Sequence, residues 1–180
     1  CRLVYENRIG TIIMIVILHN IRSLYNVGSI FRTADAVGVE KIYLCGITPA
    51  PIDEFGKPRQ QLAKVSLGAE KYVAWEYFKS TTRLIDRLKN ENCKIFCIEQ
   101  NKKSIPYYKL PKSYILSASR RTKLCLILGN EINGLPLSIL KRADKILEIP
   151  MRGAIVRQAH HPRHSGRGKE SLNVAVAFGI

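Results

Sequence analysis

Short apolar runs alternate with helix-spaced apolar positions along most of the chain. Met14–Leu18 is entirely apolar and reads as a buried strand. From Asn26 onward, Val27, Ile30, Ala34 and Val37 recur at spacings of three and four. That spacing builds one apolar helix face, and Gly38 ends the helix. Lys41–Cys45 is the next predicted strand, followed by a Pro- and Gly-containing loop through Pro58. Further strands are predicted at Tyr72–Trp75, Lys94–Ile98, Lys123–Leu128 and Lys145–Ile149. Thr81–Asn90 is predicted helical, with Leu84, Ile85 and Leu88 on one side. Leu135–Arg142 is a short helix with Pro136 in its first turn, and Leu172–Ile180 a final one. This alternation predicts an α/β fold: a mostly parallel sheet with helices on both faces. Ligands of such sheets sit beyond the carboxyl ends of the strands.

The length of 180 residues suits one domain, or one domain with a short appendage. A hydrophobic content of 46% excludes wholesale disorder. The 29 Lys+Arg against 14 Asp+Glu give a net charge of +15, which points to a polyanionic partner. RNA or DNA comes first and an anionic membrane surface second, although charge alone names no ligand. The longest apolar run, Ile12–Leu18, falls far short of the roughly 20 residues a bilayer requires, so no membrane span is expected. No secretory signal pattern is recognisable. Cys45, Cys97 and Cys125 lie in predicted strands, as reduced thiols of a cytoplasmic protein would. Cys93 and Cys97 have no second pair to complete a zinc site. The chain opens on Cys1 and stops inside an apolar pattern, as a piece of a longer protein would.

Two stretches break the rhythm. Residues 101–129 hold Lys102, Lys103, Lys109, Lys112, Arg120, Arg121 and Lys123 without an acid, interleaved with Tyr107, Tyr108 and Tyr114. Positive charge tracks a phosphate backbone and aromatic faces stack bases; the alternative is a solvated loop whose tyrosines cover the core. The second stretch, Ala154–Arg167, lacks periodicity and is rich in Arg and His. His160, His161 and His164 have no carboxylate or Cys nearby to complete a metal site, so no metal is expected.

Common nucleotide signatures are missing: Gly168-Lys169 is followed by Glu170 where a P-loop needs Ser or Thr, and no G-x-G-x-x-G follows a strand. Three other segments follow predicted strands. The first is LHNIRSLYNVGSIFRTADAVGV, with Asn26 at the turn into the helix and Arg32 on its polar side. The second is LILGNEINGL, in which Gly129 and Gly134 permit a tight turn around Glu131. The third is IPMRG, which after the irregular insertion continues as KESLNVAVAFGI, with Ser171 and Asn173 where a helix starts. Singly, each has a plain structural reading: a cap, an Arg32–Asp35 pair along the helix, a loop acid.

Together and in this order, the three segments resemble the motifs of the SpoU/TrmH family of the SPOUT superfamily, RNA ribose 2′-O-methyltransferases. The resemblance spans about Met14 to Ile180. It implies a C-terminal trefoil knot, S-adenosylmethionine as methyl donor, an RNA substrate (tRNA slightly ahead of rRNA) and a homodimer. It also implies site residues. Arg32 matches the catalytic arginine, Asn26 the motif-one asparagine, Glu131 the motif-two glutamate, and Ser171 and Asn173 the motif-three pair. Gly129, Ile149, Met151, Ser171 and Leu172 fall where the family holds the donor. RNA contacts are expected from Arg22, Arg32, Lys102, Lys103, Arg120 and Arg121.

A guanidinium is a poor proton acceptor at neutral pH, so Arg32 is assigned an electrostatic task. It grips a phosphate and stabilises the developing alkoxide, with phosphate or water taking the proton. A neutral arginine base would demand a large shift. The family passes from I-P-M-x-G to S-L-N with about three intervening residues, whereas here roughly fourteen more intervene. The expected organisation is an N-terminal extension at 1–13, too short for a separate RNA-recognition domain. One methyltransferase domain follows at 14–180, with an atypical insertion at about 154–167. If that insertion displaces Met151 or Ser171, the chain is instead a catalytically silent RNA-binding module of the same fold. A basic nucleotide-binding α/β protein with other chemistry is the third reading.

Overall fold

The computed structural model describes residues 11–111, 113, 121–130, 132–151 and 172–180, apart from the side chains of Thr11 and Arg121. Strand β1 (Thr11–His19) leads through Ser23 into α1 (Leu24–Ala36). Strand β2 (Lys41–Cys45), α2 (Gln60–Ser66), a 3-10 turn at Ala69–Lys71 and β3 (Ala74–Phe78) follow. Then come α3 (Thr81–Asn90), β4 (Lys94–Ile98), the two-residue β5 (Ile105–Pro106) and a 3-10 turn at Tyr107–Lys109. Strand β6 (Arg121–Leu128), α4 (Leu137–Leu140), β7 (Lys145–Glu148) and α5 (Val174–Gly179) complete the described elements.

The seven strands form one sheet in the order β3-β2-β1-β6-β4-β7-β5, and every described pairing is parallel. The chain steps outward from β1 to β3, crosses to β4 and β5, then returns. Strand β6 enters between β1 and β4, and β7 between β4 and β5. The parallel α/β expectation therefore holds. The side-chain period of two sends each central strand into two cores. Val16 and Leu18 pack with Val27, Ile30, Phe31 and Ala34 of α1, Leu62 of α2 and Val174 of α5. Ile15, Ile17, Cys125 and Ile127 pack with Leu84, Ile85 and Leu88 of α3 and Ile139 of α4 on the opposite face.

Several boundaries differ from the sequence expectation. Helix α1 starts at Leu24, capped by Ser23, whose Oγ accepts the Asn26 N–H at 3.3 Å; Asn26 thus lies inside the first turn. The capping preference of Ser at that position outweighs the apolar spacing that starts later. The strand expected at Tyr72–Trp75 is displaced to Ala74–Phe78. Tyr72 closes the 3-10 turn and is exposed, whereas Tyr43 and Leu44 pair with Glu76 and Tyr77. Pro136 caps α4 rather than lying in its first turn. Helix α2 was not foreseen because only Leu62 and Ser66 are buried along its seven residues. Gly28 lets it approach: a Cβ there would lie 2.7 Å from the Leu62 carbonyl oxygen. Cys45, Cys93, Cys97 and Cys125 are free and buried. Among the described residues, no helix is long and apolar enough to cross a membrane.

Candidate functional site

The carboxyl ends of β1, β6, β4 and β7 gather along one edge of the sheet, where a cavity of about 470 Å³ opens. Its walls include Glu99 after β4, Gly129, Asn130 and Gly134 after β6, and Leu172 and Val174 at the start of α5. A recess of about 80 Å³ adjoins it through Glu99 and Leu172, and adds Glu148, Ile149 and Met151.

The wall after β6 is a turn built around Asn130. Its buried side chain bridges three backbone groups. Oδ1 accepts the N–H groups of Ile132 at 2.8 Å and Asn133 at 3.2 Å, and Nδ2 donates to the Asn20 carbonyl at 3.0 Å. The Gly134 N–H closes the turn on the Asn130 carbonyl at 2.8 Å. Gly134 has φ 61, a conformation that costs glycine little. At Gly129 a Cβ would stand 2.8 Å from the Leu135 side chain, so only glycine lets the turn fold back over the strand end. Leu135 closes the turn by donating its N–H to Glu99 Oε2 at 2.7 Å.

A second pocket, about 190 Å³, shares Asn130, Asn133 and Gly134 with the first and is lined beyond them by His19, Asn20 and Arg22. Asn20 has φ 57, and its Oδ1 accepts the Ile47 N–H at 3.1 Å. That contact turns Nδ2 toward His19 Nε2, 3.0 Å away. Nε2 is therefore the acceptor, and the ring proton sits on Nδ1, facing Thr81 Oγ1 at 2.8 Å. Burial lowers the His19 pKa and keeps the ring neutral.

The sequence-derived site residues divide into three groups. Asn26 and Asn173 meet: the Asn173 amide donates to Asn26 Oδ1 at 3.1 Å, across 147 positions of chain. Asn173 also caps α5, its Oδ1 accepting the Ala175 N–H at 2.9 Å. Gly129 and Leu172 line the main cavity, and Ile149, Met151 and Leu172 line its recess. A second group stands apart from that cavity. Arg32 is exposed on α1, roughly 9 Å along the axis from Asn26. It forms no ion pair with Asp35. Arg22 borders the second pocket. Lys102 and Lys103 are exposed on the turn after Asn101, itself a cavity residue. The third group lies outside the described residues: Glu131, Ser171, Arg120, the Arg121 side chain, the insertion at 154–167, its three histidines, Tyr114 and Lys112.

Within the basic stretch, Lys123 is a structural partner, its Nζ 2.9 Å from Glu91. Tyr107 and Tyr108 form an edge-to-face pair with centroids 5.5 Å apart and both are exposed. Among the described residues, no three His, Cys, Asp or Glu side chains gather as a metal site. Burial pushes the Cys45 thiol up to about 11 and those of Cys93 and Cys97 to about 12, so all three stay protonated at neutral pH.

Sequence reasoning missed Glu99, Asn130 and the His19–Asn20 pair. Each lies at or within two residues of the end of a strand, and that position was the available signal. Polar residues there look like ordinary turn formers until the strand order is known.

A profile of the SpoU rRNA Methylase family matches residues 13–156. The chain is 27% identical over 167 residues to the tRNA (guanosine(18)-2'-O)-methyltransferase of Aquifex aeolicus, covering 93% of this chain and 65% of that protein. It is 26% identical over 168 residues to the 23S rRNA (guanosine-2'-O-)-methyltransferase RlmB of Neisseria meningitidis, covering 93% and 55%. Its fold superposes on the AdoMet-bound rRNA methyltransferase of Sinorhizobium meliloti with a TM-score of 0.70 at 23% identity, covering 93% and 53%. The chain thus spans less than two thirds of the length of these relatives. With the profile match extending over most of the strands and the motif-one and motif-two segments, the chain belongs to the SpoU rRNA Methylase family.

Proposed function

We propose that this chain transfers a methyl group from S-adenosylmethionine to the 2′-hydroxyl of a ribose in structured RNA, with tRNA slightly ahead of rRNA as substrate. The observation that carries this is the Asn26–Asn173 pair. It joins the first and third motifs between Leu172 and Val174, which line a cavity walled on another side by the second motif. The volume suits a small-molecule site, and Gly129 and Gly134, which line it, belong to a turn packed too tightly to admit a Cβ at Gly129 without displacing Leu135. These residues fit the methyl donor: Gly129 and Leu172 would hold it in the cavity, Ile149 and Met151 in the recess, and Ser171, outside the described residues, is proposed as a further contact.

When bound, S-adenosylmethionine supplies an electrophilic methyl on a sulfonium sulfur, so the protein's work is alignment and charge. Asn26 and Asn173 orient the ribose at the cavity edge. Arg32, projecting from α1 into solvent, grips the adjoining RNA phosphate and stabilises the developing alkoxide. A guanidinium keeps its own proton at neutral pH, so the ribose proton passes to phosphate or water. Glu131 braces the motif-two turn or contacts a second subunit. Arg22, Lys102, Lys103, Arg120 and Arg121 extend the phosphate track.

A homodimer in the cytoplasm and a C-terminal trefoil knot belong to the same reading. The late insertion of β6 and β7 between earlier strands supports the knot. The test is methyl transfer from labelled S-adenosylmethionine to bulk tRNA and rRNA, followed by nucleoside mapping. Label in a 2′-O-methylated nucleoside is expected. RNA binding without donor binding or label would mark a silent RNA-binding module instead.

A further inference from the structure

Glu99, the half-buried residue that follows β4, is used by none of the three motifs. Its backbone N–H donates to the Leu147 carbonyl at 2.9 Å, which ties it to β7. Its Oε2 accepts the Leu135 N–H at 2.7 Å and its Oε1 the Gln100 N–H at 3.1 Å. Gly134 passes so close that a Cβ there would stand 2.5 Å from Oε2. Glu99 lines both the main cavity and its recess. Asn130 fastens the near end of the 129–135 turn to β1, whereas Glu99 holds the far end.

We infer that Glu99 is a positioning residue that clamps the far end of this turn and so sets the width of the donor cavity. This rests on the reading that the cavity receives S-adenosylmethionine. A hydrogen bond to a carboxylate is stronger than one to a neutral acceptor, and Leu135 is buried. Losing the acceptor therefore leaves an N–H that must either stay unpaired or drag the turn outward to water. The geometry separates clamp from charge. In Glu99→Gln the side-chain oxygen can still accept the Leu135 N–H, more weakly than a carboxylate does, while the amide nitrogen that replaces Oε1 cannot accept the exposed Gln100 N–H, which turns to water. In Glu99→Asp the charge is kept but withdrawn by one methylene, out of reach of Leu135.

The test compares the whole protein with Glu99→Ala, Glu99→Asp and Glu99→Gln by calorimetry with S-adenosylmethionine, by steady-state methyl transfer and by hydrogen exchange at the Leu135 amide. In Ala and Asp, donor affinity is expected to fall about tenfold or more and KM for the donor to rise in step. Turnover at saturating donor should stay within about twofold, with Leu135 exchange accelerated. Gln is expected to stay within about threefold of the original by every readout. Unchanged donor affinity in Ala and Asp overturns the inference, as does a Gln variant as impaired as Asp, or a loss confined to turnover. If Ala fails to fold, the Asp–Gln contrast decides. An unaltered protein that binds no S-adenosylmethionine would overturn the proposed function itself, while Leu135 exchange would still report on the clamp.

Discussion

The Asn173 side chain joins two ends of the protein with one amide: Nδ2 donates to Asn26 Oδ1 at 3.1 Å while Oδ1 accepts the Ala175 N–H at 2.9 Å. One side chain therefore caps α5 and docks it on α1. Asn173→Asp keeps the capping oxygen but sets a carboxylate against Asn26 Oδ1, whereas Asn173→Ala removes both contacts. Ala is expected to cost about 1 kcal/mol of stability from the lost cap, and Asp much less. Methyl transfer should fall about fivefold or more in both, in line with a lost hydrogen bond of about 1 kcal/mol or more. Thermal melts alongside transfer assays check this; full activity in the Asp variant would contradict the orienting role.

Arg32 stands exposed on α1, and its proposed role depends on a planar fork more than on charge. Arg32→Lys is expected to lose activity by about a hundredfold or more, in the range seen when a stabiliser of developing charge is removed. S-adenosylmethionine affinity should stay unchanged, because Arg32 does not line the cavity proposed to receive it. Near-normal turnover in this variant would remove Arg32 from the chemistry.

Gly28 is the point where α1 and α2 touch. A Cβ at this position meets the Leu62 carbonyl oxygen at 2.7 Å and the Val65 Cβ at 3.2 Å. Backbone cannot yield as a side chain can, so Gly28→Ala is expected to destabilise by about 1–3 kcal/mol despite its better helix propensity. A Cβ at Gly179 meets nothing within 4 Å among the described residues, and Gly179→Ala should be close to neutral. Denaturant titration of the two variants gives the comparison.

Stability should have a plateau bounded by His19 and the thiols. Burial lowers the His19 pKa below its ordinary 6.5. Below about that pH the unfolded chain takes up a proton that the folded ring resists, so stability falls as pH falls. Cys45, Cys93 and Cys97 are raised above their ordinary 9.0, and Cys125 well above it. Above that value the unfolded thiols ionise first, so stability falls again as pH rises toward 11 and 12. Melting temperature measured from pH 5 to 11 follows both edges, and slow native-state labelling of the four thiols by DTNB checks their burial.

Much of the site was legible as residue types and much less as contacts. The donor-site expectations at Gly129, Ile149, Met151 and Leu172 all fall on the cavity or its recess, because each closely follows a strand or precedes a helix. Spacing sets Asn26 at the turn into α1 and the resemblance makes it the motif-one asparagine; Ser23 holds the cap, and Asn26, inside the first turn, meets Asn173. Lys123 looked like part of an RNA-facing run and is held by Glu91, 32 positions away. Glu99 carried no motif at all, and its importance emerges only from the Leu135 N–H pointing at it.

Local pattern was enough to mark most of the strands and the longer helices, because burial of every second or every third-and-fourth residue is written along the chain itself; it passed over α2 and β5 and set β3 two residues early. It also showed that the central strands are buried on both faces, as their unbroken apolar runs require. It could not say that β6 would enter between β1 and β4, since hydrogen-bonding edges of parallel strands are chemically alike. That ordering brings Asn130 to the Asn20 carbonyl and Glu99 to Leu135, and the packing of α5 on α1 brings Asn173 to Asn26. Each is a contact between segments 36 to 147 positions apart; the Asn130 and Glu99 contacts form where strand ends converge and part-buried polar groups must find partners, and the Asn173 contact joins the starts of two helices.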